Sequence, residues 1–257
     1  MSNETSPVLE VEHLGISFGG LKAVGDFNLE IAPGELVGLI GPNGAGKTTV
    51  FNLLTGVYKP TEGEIRLCGR RINGMRTHEV VAAGIARTFQ NIRLFSQMSV
   101  IDNVKVAFTK DINYGLGASV FRTPRFWKTE RAIDGRAMEL LGIFGLADKA
   151  DALASALPYG QQRKLEIARA LATDMKLLLL DEPAAGMNPT ETAELLACIN
   201  IIRDRFGIAI LLIEHDMSLV MNVCQRIQVI NFGQTIAAGL PEEIAVNPEV
   251  IKAYLGS

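Results

Sequence analysis

A glycine-rich segment lies between an apolar run and a helical stretch, where it could bind phosphate groups. It matches the pattern G-x-x-x-x-G-K-[ST] without a mismatch and reads Gly41-Pro42-Asn43-Gly44-Ala45-Gly46-Lys47-Thr48. The glycines let backbone N–H groups turn toward phosphates, and the helix N-terminus adds a favourable dipole. Lys47 would lie on the β- and γ-phosphates, and the Thr48 hydroxyl would bind Mg²⁺. Thr49, which begins the following helical stretch, is also expected to bind the nucleotide. A turn that only connects strand to helix would not require the Lys-Thr pair.

Two adjacent acids, Asp181 and Glu182, end the apolar run Leu177–Leu180. In a parallel sheet the carboxyl ends of the strands face the ligand crevice. We therefore expect Asp181 to orient Mg²⁺ through its water shell and Glu182 to accept a proton from attacking water. Adjacent acids at a strand end can also be plain solvated surface, but the phosphate loop in the same chain favours the catalytic interpretation.

Two further polar residues follow runs of β-forming or apolar residues. Gln90 ends the run Ile85–Phe89, and His215 follows the run Ile210–Glu214. Taken alone, a histidine after a strand is more often a structural hydrogen-bonding group than a catalytic one.

The elements that must position these residues follow from hydrophobic patterning. The run Leu36–Ile40 before the phosphate loop is typical of a buried parallel strand. Other predicted strands in the first third are Val8–Leu14, Ala23–Ile31 and Gly63–Cys68. The middle, about Val100 to Ala156, reads as helical, with a helix over Thr129–Ile143. After Gly160, helix and apolar strand alternate as Gln161–Thr173, Lys176–Leu180, Thr190–Phe206 and Ile208–Ile213, which indicates βαβ units and a parallel sheet. Two short proline-opened helices are predicted between Pro241 and Leu255.

Composition excludes several classes of protein. The 257 residues carry a net charge of −3, so nucleic-acid binding through phosphate neutralisation has little support. The cysteines, Cys68, Cys198 and Cys224, are far apart, which speaks against a metal cluster or disulfide framework and favours a reducing cytosol. Met1–Pro7 lacks the basic-then-apolar pattern of a signal peptide. No apolar run approaches the ~20 residues of a membrane span, so we predict a soluble chain that reaches a membrane only through a partner.

The segment Leu157–Leu171, LPYGQQRKLEIARAL, resembles the signature motif of ATP-binding-cassette ATPases. The phosphate loop, Gln90, the acidic pair and His215 stand in that family's order, so the resemblance spans essentially the whole chain. It implies an α/β P-loop NTPase fold: a RecA-like core with an antiparallel β subdomain and an inserted helical subdomain. The expected organisation is one cassette domain over 1–257, with 1–95 and 160–257 forming the β subdomain and core and 96–159 the helical subdomain.

The resemblance also implies roles for individual residues and ATP as the nucleotide. Phe18 resembles the aromatic that stacks on adenine, although it could be an ordinary core aromatic. Gln90 resembles the residue that contacts Mg²⁺ and reports the nucleotide state. His215 resembles the switch residue that contacts the γ-phosphate and positions the attacking water. The first turn of the signature helix would offer N–H groups to the γ-phosphate of another subunit's ATP, through Tyr159, Gly160 and Gln161. Each site would then be made by two chains in a head-to-tail dimer with two ATPs.

Three positions depart from the common family pattern. Pro158 replaces the usual serine of the signature and Tyr159 the first of its two glycines, so any serine-to-phosphate contact must come from backbone donors or water. Proline still suits the start of a helix. Asn188 stands where an aspartate is usual, and its amide keeps an acceptor but loses the charge.

Several segments are similar to the ATP-binding subunits of bacterial high-affinity branched-chain amino acid importers. They are Arg87–Phe95, Pro158–Arg163, Ala184–Pro189, the insert Asp111–Arg131 and the ending Asn247–Gly256. That likeness implies a cytoplasmic protein, peripheral on the inner face of the plasma membrane and docked on integral membrane permease subunits. It also implies a second ATP-binding subunit, identical or related, and indirectly a periplasmic binding protein.

Two kinds of alternative remain at this point. One is another cassette system: an importer of urea or another amide, a lipid or lipopolysaccharide exporter, or a soluble cassette ATPase serving cluster assembly. The other is a switch GTPase, whose guanine-reading N-K-x-D is absent; Asp148-Lys149-Ala150-Asp151 is only a weak match.

Overall fold

The structure is a computed structural model that describes residues 6–108 and 121–255. Residues 111–120 of the insert Asp111–Arg131 and the terminal Gly256 lie outside the described residues. The strands are β1 (Leu9–Phe18), β2 (Leu21–Ile31), β3 (Leu36–Ile40), β4 (Glu62–Leu67), β5 (Arg70–Arg71), β6 (Ile85–Arg87), β7 (Leu177–Asp181), β8 (Ala209–Ile213), β9 (Arg226–Asn231) and β10 (Gln234–Gly239). The helices are α1 (Lys47–Leu54), α2 (Thr77–Ala83), α3 (Val100–Lys105), α4 (Pro124–Ile143), α5 (Tyr159–Leu171), α6 (Pro189–Phe206), α7 (Met217–Val223), α8 (Pro241–Ala245) and α9 (Pro248–Leu255).

The strands form two sheets of different kinds. A four-stranded antiparallel sheet has the order β2-β1-β4-β5, and a six-stranded sheet has the order β10-β9-β3-β8-β7-β6. In the larger sheet β9, β3, β8, β7 and β6 run parallel, and only β10 pairs antiparallel to its neighbour. The sequence prediction of an α/β fold with a parallel core and an antiparallel β part is confirmed.

The central strands are buried on both faces, which explains their continuous apolar sequences. Every residue of β3, β7 and β8 is buried. One apolar core cluster includes residues from both sheets and from α1. Strands β3 and β7 therefore hold the segments that follow them in fixed positions at one edge of the parallel sheet.

The predicted elements are observed to within a few residues, with two differences worth noting, whereas α2, α7, β9 and β10 were not predicted. Helix α4 begins at Pro124, five residues before the predicted start, because Pro124 occupies its first turn, where a missing N–H costs nothing. Strand β7 includes Asp181, so the first acid is part of the sheet rather than of the following loop. The two proline-opened terminal helices are present as α8 and α9.

The chain divides into two compact units. The first consists of Met1–Gln90, Lys176–Ala185 and Ile202–Ser257, and contains both sheets. The second consists of Asn91–Met175 and Gly186–Ile201. The helical subdomain was predicted as 96–159, whereas the helical second unit also takes in α5 and most of α6.

The second unit is held by helix packing and by short polar contacts. Ser99 caps α3 by accepting a hydrogen bond from the Asp102 backbone N–H at 3.1 Å. The buried Asn103 side-chain amide accepts from the Phe95 backbone N–H at 2.9 Å and donates to the Phe95 carbonyl at 3.0 Å, which fixes the chain ahead of α3.

Within residues 6–108 and 121–255, no helix combines the length and apolarity needed to cross a membrane.

Candidate nucleotide-binding site

The predicted phosphate loop lies in the first unit between β3 and α1. Gly41 and Gly46 have φ values of 153° and 108°, and Gly46 immediately precedes Lys47, the first residue of α1. A Cβ at Gly41 would lie 2.0 Å from the Ile230 carbonyl oxygen, so only glycine fits there. The loop thus has the strand–turn–helix context that the sequence pattern requires.

Lys47 is folded back onto its own loop. Its Nζ donates to the carbonyl oxygens of Gly41 and Pro42, at 2.6 and 3.0 Å. Burial lowers the pKa of Lys47, and the carboxylates of Glu182 and Asp181 oppose that shift. A buried ammonium group can exchange these carbonyl contacts for charge-assisted ones with phosphate oxygens, which favours a polyphosphate at this position.

The Glu182 carboxylate is where three predicted residues meet. Its Oε1 lies 2.6 Å from His215 Nε2, and its Oε2 accepts from Gln90 Nε2 at 3.0 Å. The Glu182 backbone N–H also donates to the Ile213 carbonyl at 2.9 Å, tying the residue to β8. The structure therefore brings Glu182, Gln90 and His215 together from three separate parts of the chain.

The Glu182 backbone is in an unusual conformation. Its φ is +48°, in the left-handed region that a non-glycine residue rarely adopts. Such strain is typical of functional positions, where the surrounding structure fixes a side chain at a cost. Here the conformation turns the chain directly after β7 while the carboxylate keeps its two side-chain partners.

Asp181 has a partner that the sequence analysis missed. Arg87 donates to Asp181 Oδ2 at 2.8 Å and to Asn52 Oδ1 at 2.7 Å, and both charged side chains of the ion pair are buried. The Arg87 guanidinium also lies over the Phe51 and Phe89 rings, at 5.4 and 5.1 Å. One carboxylate oxygen of Asp181 is therefore fixed by Arg87. The signal was present in the sequence, since Arg87 is a lone cation in the run that ends at Gln90.

Glu214 is a second residue that the sequence analysis did not single out. It is buried, and its carboxylate accepts from the backbone N–H groups of Ala184 and His215, at 2.9 and 3.2 Å. Burial raises the pKa of Glu214, and those two backbone hydrogen bonds oppose the shift. Glu214 thus holds the segment after Glu182 next to the backbone of His215.

The turn between β9 and β10 supports the phosphate loop from outside. The Gly233 N–H donates to the Ala45 carbonyl at 2.8 Å, and the Gly233 carbonyl accepts from the Gly25 N–H at 2.8 Å. Helix α9 also reaches this region, because Glu249, Lys252 and Ala253 line one surface depression together with residues 42–45 of the loop. Burial raises the pKa of Tyr254 in the same helix, and the Gly41 backbone opposes the shift. Residues near the end of the chain therefore brace the loop.

The candidate adenine-stacking residue lies at the end of β1. Phe18 is 45% exposed, so it is not the core aromatic that the sequence left open as an alternative. Its ring meets the Tyr58 ring edge to face, with centroids 5.2 Å apart. An exposed aromatic pair offers a flat surface to a base.

The signature residues lie in the second unit, at the start of α5. Pro158 is the N-cap, and Tyr159 is 44% exposed. Gly160 is buried, and a Cβ there would lie 2.9 Å from Glu191 Oε1. The Gln161 side chain accepts from Lys149 Nζ at 2.9 Å. Asn188, the departure from the usual aspartate, accepts from the Glu191 N–H at 3.0 Å and so starts α6.

The residues predicted to hold Mg²⁺ form a suitable set of donors. Thr48 offers an exposed hydroxyl, Asp181 a carboxylate and Gln90 an amide, all of them the hard oxygen-bearing groups that Mg²⁺ prefers. Over the ranges that the structure describes, no group of three or more His, Cys, Asp or Glu side chains could hold a metal.

Comparisons with known proteins give two family matches. Residues 24–185 match the model described as ABC transporter. Residues 234–257 match the model described as branched-chain amino acid ATP-binding cassette transporter. The first includes the phosphate loop, Gln90, the signature helix and both acids, and the second includes β10 and α9.

Individual relatives match nearly end to end. The chain is 50% identical to the high-affinity branched-chain amino acid transport ATP-binding protein BraF of Pseudomonas aeruginosa, over 97% of this chain and 98% of that one. It is 49% identical to the corresponding protein LivG of Escherichia coli, over 98% and 99%. A solved ATP-binding cassette of an ABC transporter in its ADP conformation is 30% identical, with a TM-score of 0.84 over 98% of this chain and 100% of that one.

Proposed function

Because this chain belongs to the ABC transporter family and is an ATPase of that family, we propose that it drives a membrane importer of branched-chain amino acids. The support for the solute class is the pair of relatives at 49–50% identity, together with the terminal match over residues 234–257. The observation that best supports ATP hydrolysis as the driving step is the Glu182 carboxylate, which Gln90 and His215 hold between them.

In the proposed reaction, ATP enters beside Lys47, Thr48 and Phe18. The Lys47 ammonium leaves the Gly41 and Pro42 carbonyls for phosphate oxygens, a charge-assisted contact. The ion Mg²⁺ would be held by Thr48, Gln90 and Asp181 and would neutralise charge on the phosphates. Arg87 keeps the Asp181 carboxylate in one orientation for that task.

Glu182 is proposed as the general base. Its carboxylate accepts the proton of the attacking water, and His215 and Gln90 hold that carboxylate in position. His215 is half-exposed, so its other face can contact the γ-phosphate and the water. When the γ-phosphate leaves, His215 would lose that contact while Glu182 remains its partner.

The assembly part of the proposal concerns two cassettes. The start of α5, with Tyr159, Gly160 and Gln161, would contact the γ-phosphate bound by a second ATP-binding subunit. ATP then favours the closed pair, and hydrolysis favours the open one, so that the population shifts with each turnover. Opening and closing would move permease subunits fed by a periplasmic binding protein, with this chain on the cytoplasmic face of the membrane. Exposed Phe95, which Asn103 fixes at the backbone, is a candidate contact for a permease helix.

The general-base role is tested by Glu182→Gln. The amide cannot take the proton, so we expect ATP affinity to stay within a few-fold of the parent while turnover falls by about 10²–10⁴. The variant should also pair in ATP and Mg²⁺, as measured by light scattering. Near-normal hydrolysis would remove Glu182 from this role, and absence of pairing would contradict the closure model.

The solute class is tested in proteoliposomes that contain this chain and its membrane partners. Leucine, isoleucine or valine, loaded on the binding protein, should raise ATP turnover and drive uptake, whereas a polar solute such as urea should not. The Glu182→Gln assembly is the control and should give no uptake with any solute. Stimulation by urea alone would contradict the proposal for branched-chain amino acids and leave the ATPase assignment intact.

A further inference from the structure

The beginning of α4 carries a basic and aromatic surface that the nucleotide site does not use. The stretch from Phe121 to Arg131 contains four cations and one anion, a charge of +3 in a chain whose net charge is −3. Its cations are Arg122, Arg125, Lys128 and Arg131, and all four are exposed. Among the described residues none of the four has an ion-pair partner.

The aromatic residues of this stretch are also exposed. Phe121 is 82% exposed and Trp127 is 46% exposed. The Trp127 ring meets the Phe126 ring edge to face, with centroids 5.4 Å apart, so it has a defined orientation. Large exposed rings interleaved with cations are unusual for a merely solvated surface.

Helical periodicity gathers these residues on one face. Pro124, Trp127, Lys128 and Arg131 stand at positions i, i+3, i+4 and i+7, and together they line one shallow surface depression. The opposite face of the same helix is apolar and packs inside the second unit, through Ile133, Ala137, Leu140 and Leu141. Helix α4 is therefore attached to the unit by one face and offers the other face outward.

We propose that this face of α4 binds the surface of an anionic lipid bilayer directly, in contrast to the sequence expectation of a membrane contact only through a partner. Cations near such a surface are attracted by its negative potential, and tryptophan settles at the level of the headgroups. The stems of Lys128 and Arg131 can lie along the apolar interface while their charged ends reach phosphate groups. The surface charge complements lipid phosphates, whereas the rest of the chain, at −6, would be repelled, so binding orients the molecule.

The chain provides its own probe, because Trp127 is its only tryptophan. Adding phosphatidylglycerol–phosphatidylcholine vesicles to the purified protein at low ionic strength should shift Trp127 emission to shorter wavelength, and salt should reverse the shift. Vesicles of phosphatidylcholine alone should leave the emission unchanged. Absence of a shift with the anionic vesicles overturns the proposal.

Two charge-reversal variants test whether vesicle binding depends on this face of α4 or only on the net charge of the protein. Lys128→Glu with Arg131→Glu should weaken vesicle binding by at least about thirtyfold, measured by co-sedimentation, because two attractive charges of about 1 kcal/mol each are lost and two repulsive ones are added. The matched control is Arg70→Glu with Arg71→Glu, which changes the net charge equally on exposed strand residues and should bind as the parent does. Equal weakening by both double variants, or by neither, overturns the proposal.

The outcome is separable from the proposed ATPase mechanism. ATP turnover of the Lys128→Glu, Arg131→Glu variant in lipid-free solution should equal that of the parent, because neither residue belongs to the nucleotide site. If Trp127 responds only when membrane partner proteins are present, and not to anionic vesicles, the face is a protein-docking surface and the lipid proposal is wrong. Failure of the vesicle test leaves the roles of Glu182 and Lys47 untouched.

Discussion

Two residues that are far apart in the sequence fix the orientation of the Glu182 carboxylate. Gln90 takes one oxygen and His215 the other, and the positive φ of Glu182 keeps the side chain between them. A base that must take a proton from one particular water gains from such restraint, because orientation is set before the reaction begins. Glu214 adds a further restraint by bonding the His215 backbone N–H.

His215→Ala should therefore lower turnover without removing nucleotide binding. We expect kcat to fall by about 100-fold, since the carboxylate loses one of its two side-chain partners and its position loosens. Binding of a fluorescent ATP analogue should change little. The control is His13→Ala, which removes an exposed histidine that pairs with Asp26 and should leave kcat unchanged. An unchanged kcat in the His215 variant would show that Gln90 alone suffices.

At the scale of elements, the phosphate loop depends on neighbours that do not contact phosphate. Strand β3 provides the fixed start of the loop and α1 its end, and the β9–β10 turn bonds its middle through Gly233. Gly233 has φ +76°, and a Cβ there would lie 2.4 Å from the Ala23 carbonyl oxygen. Both the backbone conformation and the space require glycine at this turn.

Gly233→Ala and Gly69→Ala form a matched pair that separates these two requirements. Gly69 has φ +73° and open space around its Cβ, so its variant should lose only about 1–2 kcal/mol of unfolding free energy from backbone strain. Gly233→Ala should lose about 1–3 kcal/mol more, because the clash displaces β2 or the loop. Urea unfolding measures both. ATP affinity should fall only in the Gly233 variant. Equal losses of stability in the two variants would contradict the role of Gly233 in supporting the phosphate loop.

At the scale of the whole molecule, local sequence patterns predicted the buried strands of the core and the position of the phosphate loop and the acidic pair. Continuous apolar runs identified β3 and β7 as buried strands, and the structure places Gly41, which follows β3, and Glu182, which follows β7, at the same edge of one sheet, as the parallel arrangement predicts. The family resemblance supplied the roles of Gln90, His215 and Phe18, which no local pattern distinguishes from structural residues. Those roles remain predictions, although the first two now lie in contact with Glu182.

The supporting residues could not be predicted in the same way. Arg87 pairs with Asp181 only because β6 and β7 are neighbours, and Tyr254 reaches Gly41 only because α9 packs beside the loop. Both contacts depend on which elements lie next to each other in the fold, and the spacing of hydrophobic residues along the sequence does not specify that. In the sequence Glu214 is simply the last residue of an apolar run. Only the structure shows that it is buried and that its carboxylate accepts a hydrogen bond from the backbone.

The order of strands in the larger sheet has a consequence for the newly made protein. Strand β3 is synthesised early, but both strands that flank it, β8 and β9, come from the last fifth of the chain. A ribosome-bound chain that has already exposed Lys47 and Thr48 would have neither flanking strand in place, so its glycine-rich segment would lack a rigid base. We therefore expect stable ATP binding only after β8 and β9 have been synthesised, which would keep an incomplete chain from hydrolysing ATP.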